Sequence, residues 1–482
     1  MAGSQNITLI QMNDTHGYLE PHAEVFFEEN GPVTRTAGGF ARMASTVKKI
    51  KDETDGQALF FDSGDTFHGT FLPVESKGEA MIPILNVLGL DGMTGHWDFA
   101  YTPDRLKTLQ QSLNYPVLAC NVFDAGTNEY YFKPYIIKET GSVKAAVIGL
   151  ACPYVGSQMP KHFAKGVYFK EAEKELPYLI HKVKQEENAD IVILLSHQGF
   201  AQDMELLKEV RGIDVILSGH THNRLYEPVQ FGNTLVIQSG AHGSFLGRLD
   251  LKVSNGRVIS HHHELIEITP DIPEDPEVKK QVENALEPYR GKLSEKAGTT
   301  FSLLFRGMNI ESTTDNFLMN ALLDYSGADL AFSHGWRYGA PIPPGEVTVN
   351  DLYNIVPMNP AVMTAELSGA EILLMLEEAI ETTYSRDPYR QSNGYMKRGL
   401  GYKAYVKLEN PHGLRVEQLF IGNEKLNPDK TYKAVYITKQ GIPEKYGRNR
   451  STLNQPAVEI MKQYLSKHPD LKQGYVGTYE II

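Results

Sequence analysis

The sequence predicts an α/β fold: a large layered domain followed by a smaller α+β domain. Three observations predict it. Short, apolar, β-rich runs alternate with helical stretches through the first half of the chain. Near Thr269 the texture changes, as ITPDIPEDPEVKKQVENALEPYRGKL brings in proline and acidic residues and then a charged helical pattern. The length, 482 residues, leaves room for two or three domains at ~100–200 residues each.

In chain order, strands are expected at Ile7–Met12, Ala58–Asp62, Val117–Val122, Lys144–Ala151, Ile191–Ser196, Val215–Ser218, Thr234–Ser239 and Gly247–Val253, which are short β-rich runs, most of them ending in polar or Gly residues. Helices are expected near Phe40–Ile50, Ala80–Leu88, Pro103–Leu113, Glu171–Glu186 and Met204–Val210, where they would cover the faces of the buried strands. The stretch from about Pro276 to Tyr289 reads as a linker helix. Beyond it, helices at Asp315–Tyr325, Ser368–Thr383 and Gln455–Leu465 interleave with strands at Ala361–Leu367, Gly401–Lys407 and Tyr432–Ile437. The expected division is a first domain over 1–270, a linker over 271–300 and a second domain over 301–482. The run His261–His263 reads as an exposed strand end.

Hydrophobic residues at 41% and charged residues at 22% match ordinary globular chains and exclude a disordered or fibrous protein. The net charge of −12 argues against a surface that binds nucleic acid or anionic membrane. An anionic substrate then needs a local positive site. Cys120 and Cys152, both in or beside apolar runs, make no disulfide framework and read as buried thiols. The N-terminus lacks the regions of a signal peptide, and no apolar stretch approaches the ~18 residues of a membrane span. As written the chain reads as cytoplasmic, and as periplasmic or extracellular if a signal has been removed.

Sixteen histidines are present, and several sit beside Gly and Asp at the ends of apolar runs. Five segments stand out: Asn13-Asp14-Thr15-His16, Asp62-Ser63-Gly64-Asp65, Gly95-His96-Trp97-Asp98, Ser196-His197-Gln198-Gly199 and Ser218-Gly219-His220-Thr221-His222. Each follows or ends a strand candidate, so all five are expected to converge on one edge of the sheet. The Asp-x-His and His-x-His spacings suit an extended chain, in which residues i and i+2 project to the same side. A mixed carboxylate and imidazole set selects Mn, Zn or Fe over Mg or Ca. One carboxylate between two such cations makes the dinuclear arrangement, ~3.5–4 Å apart, that activates water and clamps a tetrahedral anion.

On these residues the chain resembles the calcineurin-like metallophosphoesterases, and within them the two-domain 5′-nucleotidase superfamily. The resemblance runs from NDTHGYLE through GDTFHG, LLSHQG and SGHTHN into the C-terminal domain. It implies a layered αββα metallophosphoesterase sandwich, a linker helix, and a 5′-nucleotidase-type C-terminal domain. It also implies that Asp14, His16, Asp65 and His222 hold one divalent ion and that Asp65, His96, His197 and His220 hold the other.

Position 96 departs from the nucleotidase pattern Gly-Asn-His-Glu-Phe, since this chain reads Gly95-His96-Trp97-Asp98-Phe99. Imidazole replaces the amide ligand, and the usual catalytic histidine gives way to Trp97. The run TGHWDFAY is similar to the sulfur-oxidation (Sox) thiosulfohydrolase subgroup, and SGAHGSFLG around His242 agrees with it. The turn Ser333-His334-Gly335-Trp336-Arg337-Tyr338-Gly339 matches the anion-binding turn of the second domain and keeps an arginine suited to a tetrahedral anion. The base-stacking segment reads Pro357-Met358-Asn359, without its aromatic, and aromatic stacking is worth roughly 1–3 kcal/mol per base.

The resemblance implies a hydrolase whose metals activate water at a phosphate- or sulfate-type centre. Its substrate is expected to be a small anion or, for a Sox-type enzyme, a cysteine persulfonate on a sulfur-carrier protein. A metal-containing binding protein with little turnover is the alternative from a different class. The candidate catalytic residues are Arg337, Asp98 and Trp97. The candidate substrate-binding residues are Arg337, His242, Trp336, Arg390 and Arg398.

Overall fold

The structure, a computed structural model, describes residues 4–392 and 394–482. The first three residues of the N-terminal stretch read for a signal, and Asn393 of the basic segment 386–399, lie outside them. The chain divides into two compact units, one of residues up to Glu24 with Arg35–Pro288, the other of Val25–Thr34 with Tyr289–Ile482. The expected 1–270 domain did not set aside the Val25–Thr34 hairpin tip.

The strands that build the first unit are β1 (Gln5–Met12), β2 (Ala58–Asp62), β3 (Gly92–Met93), β4 (Tyr135–Thr140), β5 (Val143–Leu150), β6 (Ile191–Ser196), β7 (Val215–Leu217), β8 (Val229–Phe231), β9 (Thr234–Ile237), β10 (Phe245–Ser254) and β11 (Arg257–Glu267). They form two sheets, ordered β11-β10-β1-β2-β3 and β8-β9-β7-β6-β5-β4. Alternation explains how the sheets stack. In β6 the odd residues Ile191, Ile193 and Leu195 meet Ile7, Leu9, Leu59 and Phe61 of the other sheet. The even residues Val192 and Leu194 face Leu176, Leu179, Leu206 and Leu207 of the helices Ala172–Gln185 and Phe200–Glu209. A strand buried on both faces must read as a continuous apolar run, as IVILL does. On the far side, the helix Phe40–Glu53 buries Phe40, Met43, Val47 and Ile50 and lies against β2. The layers are therefore α, β, β and α.

The helix expected as a linker, Pro276–Leu286, packs within the first unit against Phe40–Glu53. Its start is local chemistry: Asp275 accepts from the amides of Glu277 and Val278 at 3.1 and 2.9 Å, and Pro276 occupies the first turn. The other oxygen of Asp275 takes Lys48 Nζ at 2.5 Å.

Two strand expectations change. Val117–Val122 forms only single bridges at Val117 and Leu118, and the strand runs Val122–Asp124 instead. The side chain of Asn121 takes the place of a ladder, donating to Ala151 O at 2.8 Å and accepting from Ala151 N at 3.0 Å. His261–His263 lies mid-strand in β11, paired with β10, and His263 is buried with Nδ1 3.2 Å from Tyr226 O.

The second unit holds a five-stranded sheet of β12 (Leu330–Ser333), β13 (Ala361–Ser368), β14 (Arg398–Leu400), β15 (Thr431–Ile437) and β16 (Arg448–Pro456), ordered β14-β12-β15-β13-β16. The helix Gly369–Tyr384 buries Ile372, Met375, Leu376 and Ile380 in the core with Leu330, Phe332 and Leu367 of that sheet. A capping box between Ser368 and Glu371 starts it. Among the described residues, no helix is long and apolar enough to cross a membrane.

Candidate metal centre

Register brings the motif loops together. Parallel pairing sets Met12 beside Asp62 and Leu195 beside Leu217, so the loops after β1 and β2, and after β6 and β7, leave side by side. Gln11 Nε2 donates to Ser218 O at 2.7 Å, and Ser63 Oγ donates to Leu217 O at 3.0 Å, which stitches the two sheets at that end. The amides of Asp14 and His16 donate to the carbonyls of Gly64 and Asp65, both at 2.8 Å.

The ligand pairs do not sit on extended chain: Asp14, His16, Asp65, His220 and His222 all have positive φ, between 49° and 73°. Non-glycine residues rarely adopt this left-handed conformation, and it collects at functional sites, where the surroundings must hold it. Tight loops, not strand pleats, aim these side chains. Two glycines allow the close approach. A Cβ on Gly64 would meet His197 Nδ1 at 2.9 Å, and one on Gly69 would meet the His16 Cβ at 2.5 Å.

Seven side chains converge in two groups, Asp65, His96, His197 and His220 in one and Asp14, His16 and His222 in the other. Asp65 Oδ2 lies 3.3 Å from His197 Nε2 and 3.7 Å from His16 Nε2, so one carboxylate reaches both groups. Asp14 Oδ1 lies 3.2 Å from His222 Nε2 and 3.7 Å from His197 Nε2. Ring orientation is set from behind: His16 Nδ1 is 2.9 Å from His68 O and His197 Nδ1 is 2.5 Å from Ser63 O. A carbonyl there selects the tautomer with the proton on Nδ1 and turns the Nε2 lone pair inward.

The fit to cations shows in the packing. His197 Nε2 is fully buried with no hydrogen-bond partner, and facing carboxylates surround it. Burial works against the His197 imidazolium, yet Asp65 and Asp14 together carry the ring up to about 9. Burial also opposes the Asp65 carboxylate, and the neighbouring His197 and His96 hold it well below the usual range. Such a cluster binds protons where it lacks cations, and the donor set is that of borderline divalent ions. The clusters fit a dinuclear centre.

Family models agree with this geometry. Residues 7–224 match "Calcineurin-like phosphoesterase" and residues 295–438 match "5′-nucleotidase, C-terminal domain". The chain belongs to the two-domain 5′-nucleotidase superfamily of metal-dependent hydrolases. It is 26% identical to the 5′-nucleotidase of Bos taurus over 89% of this chain and 82% of that one. It is 24% identical to the trifunctional nucleotide phosphoesterase YfkN of Bacillus subtilis over 89% of this chain, but spans only 31% of YfkN's length. Among solved structures it resembles a Thermus thermophilus sulfate thiohydrolase, SoxB, with a TM-score of 0.92 and 25% identity over 99% and 96% of the two chains. A 5′-nucleotidase precursor from Thermus thermophilus has the same fold, with a TM-score of 0.87 at 22% identity over 99% of both chains.

Within this superfamily frame the other candidates separate. Asp98 is buried, and its carboxylate accepts from four backbone amides: Asp65 and His96 at 2.9 and 3.1 Å, Thr66 and Phe67 at 3.0 and 2.9 Å. That ties the loop bearing Asp65 to the loop bearing His96, a positioning task. Trp97 donates its amide to Asp65 Oδ1 at 2.7 Å, and its half-buried ring stacks on His68 at 4.7 Å. His242 lies beside the ligands, its ring centroid 5.9 Å from that of His222 and 6.3 Å from that of His16.

The remaining four candidates lie in the second unit. Arg337 is half-buried, its guanidinium 5.9 Å from the Tyr395 ring centroid. Trp336 is buried and stacks on Tyr338 at 5.9 Å. Arg398 is buried, 3.2 Å from Asp315 and donating to Met308 O at 2.6 Å, so its charge is already matched inside the unit. Arg390 is exposed and 3.6 Å from Asp387.

The sequence reading passed over His22 and Glu24, which join His242 in a third cluster of ligand-type side chains. Their i, i+2 spacing is the signal used for Asp14 and His16, and it was available in the sequence.

Proposed function

We propose that this chain hydrolyses a small anionic substrate at a tetrahedral phosphate- or sulfate-type centre, using two divalent ions of Mn, Zn or Fe. The observation that carries the reading is the Asp65 carboxylate, set 3.3 Å from a donor of one ligand group and 3.7 Å from a donor of the other. When bound, the two cations lower the pKa of water and neutralise the oxygens of the anion. Asp14, His16, His96, His197, His220 and His222 complete their shells. Asp98 and the amide of Trp97 keep the Asp65 loop in place. Arg337, in the turn that resembles the family's anion-binding turn, is the second unit's candidate for an anion, which a guanidinium can hold bidentately.

A second reading narrows the substrate to an S–S-linked sulfonate rather than a nucleotide. Trp97 stands where the nucleotidase pattern has its catalytic histidine, and it has a single ring donor. Met358, half exposed at 53%, replaces the aromatic that would stack on a base. The likeness in fold to a sulfate thiohydrolase supports this reading. On this reading the substrate is carried by a small thiol or a sulfur-carrier protein.

The test is to load the full chain with Mn²⁺ or Zn²⁺ and offer AMP, UMP and a cysteine S-thiosulfonate conjugate (Cys–S–S–SO3−) side by side. Phosphate released from the nucleotides supports a nucleotidase, and sulfate released only from the conjugate supports the second reading. Hydrolysis left unchanged by Asp65→Asn and His197→Ala would belong to a contaminant, which overturns both readings and leaves a metal-containing binding protein.

A further inference from the structure

We propose that His22, Glu24 and His242 form a third cation site, distinct from the seven-residue centre, that takes a divalent ion of the zinc class. One ligand atom from each of the three lies within 4.8 Å of the others, and none of them belongs to the other two groups. His22 and Glu24 sit two residues apart in the strand His22–Glu28, so their side chains leave the same face. His242 comes from the loop before β10, held in the left-handed conformation at φ 59° with its amide donating to Asp14 O at 2.8 Å.

The donors are already at coordination spacing. His242 Nδ1 lies 3.2 Å from Glu24 Oε2, close to the separation of two donors that share one ion at bond lengths of ~2.0–2.1 Å. The Glu24 carboxylate is divided between two tasks. Its Oε1 takes Arg224 at 3.0 Å, while its Oε2 faces His242 and the Ser244 hydroxyl, the latter at 3.0 Å. Ser244 Oγ also lies 3.2 Å from His22 Nε2, so a fourth polar group, a hydroxyl, stands beside the three.

Glu24 and His242 are buried, at 3% and 7% exposure, and the second nitrogen of His242, Nε2, has no hydrogen-bond partner. A ring so placed is fixed on one side only, and an ion on the cluster would fix its tautomer and orientation. Two imidazoles, one carboxylate and an open position make the three-ligand set of zinc or ferrous sites. His242, expected at the substrate, would then meet an anion through the cation it holds.

The site is tested by metal content. The purified full chain is stripped with a chelator, reloaded with Zn²⁺, desalted and assayed by mass spectrometry of the metal. Three equivalents per chain are expected, falling to two in His22→Ala and in Glu24→Gln. In the double variant Asp65→Asn/His197→Ala the third equivalent stays, and a further His22→Ala removes it. His22 is half-buried, so its variant is expected to fold, and circular dichroism checks this. Cobalt loading gives an independent readout, since His22→Ala should lose one component of the visible spectrum. Two equivalents in the wild type, or a count unmoved by both His22→Ala and Glu24→Gln, would overturn the third site. A count unmoved by Asp65→Asn/His197→Ala would instead overturn the dinuclear reading, so the two failures are distinguishable.

Discussion

The loops of the metal centre and the basic residues of the second unit use polar groups in opposite ways. Around Asp65 backbone groups hold the polar side chains in place: Asp98 by four amides, Asp62 by Gly64 N with the Thr66 hydroxyl beside it, His16 and His197 by carbonyls. The scaffold there leaves donor atoms pointing at one another. In the second unit the guanidinium groups are consumed by structure. Arg306, fully buried, donates to Tyr338 O and Ile355 O and pairs with Asp315 at 3.0 Å, and Arg398 pairs with the other oxygen of Asp315 at 3.2 Å. Residue type therefore names a site only where the surroundings leave its charge unmatched, which holds for the aspartates and histidines here but not for these arginines.

The sharpest way to break that contrast is Asp65→Asn. Removing the shared carboxylate should lower kcat/KM on the order of 10³-fold and reduce bound metal, while the melting temperature of the stripped protein stays near wild type. A loss of folding without a loss of metal would reverse the assignment. Next in size, Arg398→Met should destabilise the chain by ~3–5 kcal/mol, because it leaves Arg306 as the only cation on the buried Asp315 carboxylate. Urea unfolding reads this directly. Arg337→Met, by contrast, should leave unfolding unchanged and raise KM about tenfold if it grips the substrate.

Asp98→Asn is expected to cost ~1–3 kcal/mol, since an amide cannot accept on both sides from four N–H groups. It should also weaken metal binding by roughly 10–100-fold, as loss of an outer support does. The smallest effect concerns Lys397, which burial holds down to about 8, against the pull of Glu378, and whose Nζ donates to Gln440 O at 2.9 Å. The folded-state pKa is depressed, so the folded chain releases this proton between about 8 and 10.5, where the unfolded chain still holds it. Stability from this group therefore rises with pH across that window, and the burial penalty is complete below it. Lys397→Met should be ~2 kcal/mol more stable than wild type at pH 7, after allowing for the lost hydrogen bond, and that advantage should disappear by pH 10.5. Equal pH dependence of the two proteins would show that Lys397 is not the buried titrating group.

Much of this molecule was written in local pattern. Runs such as ALFFD and IVILLS mark their strands because a strand covered on both faces must be apolar throughout. The seven ligand-type residues were legible for the same reason, each lying within a few positions of a strand end. By itself, then, the sequence determined the layered α/β architecture, the acidic balance and the placing of seven ligand-type residues near strand ends. Tertiary structure alone decided the rest. His22 and Glu24 meet His242 across 218 residues of chain, which no local spacing records. Asp98 accepts amides from the Asp65 loop as well as from its own, contacts that its place beside Trp97 does not record. Arg398 and Arg390, eight positions apart in one basic segment, end up buried and exposed because only one of them faces Asp315. Proximity along the chain specifies which chemistry is present. Long-range pairing and burial decide which charges are already satisfied and which remain for a cation or a substrate.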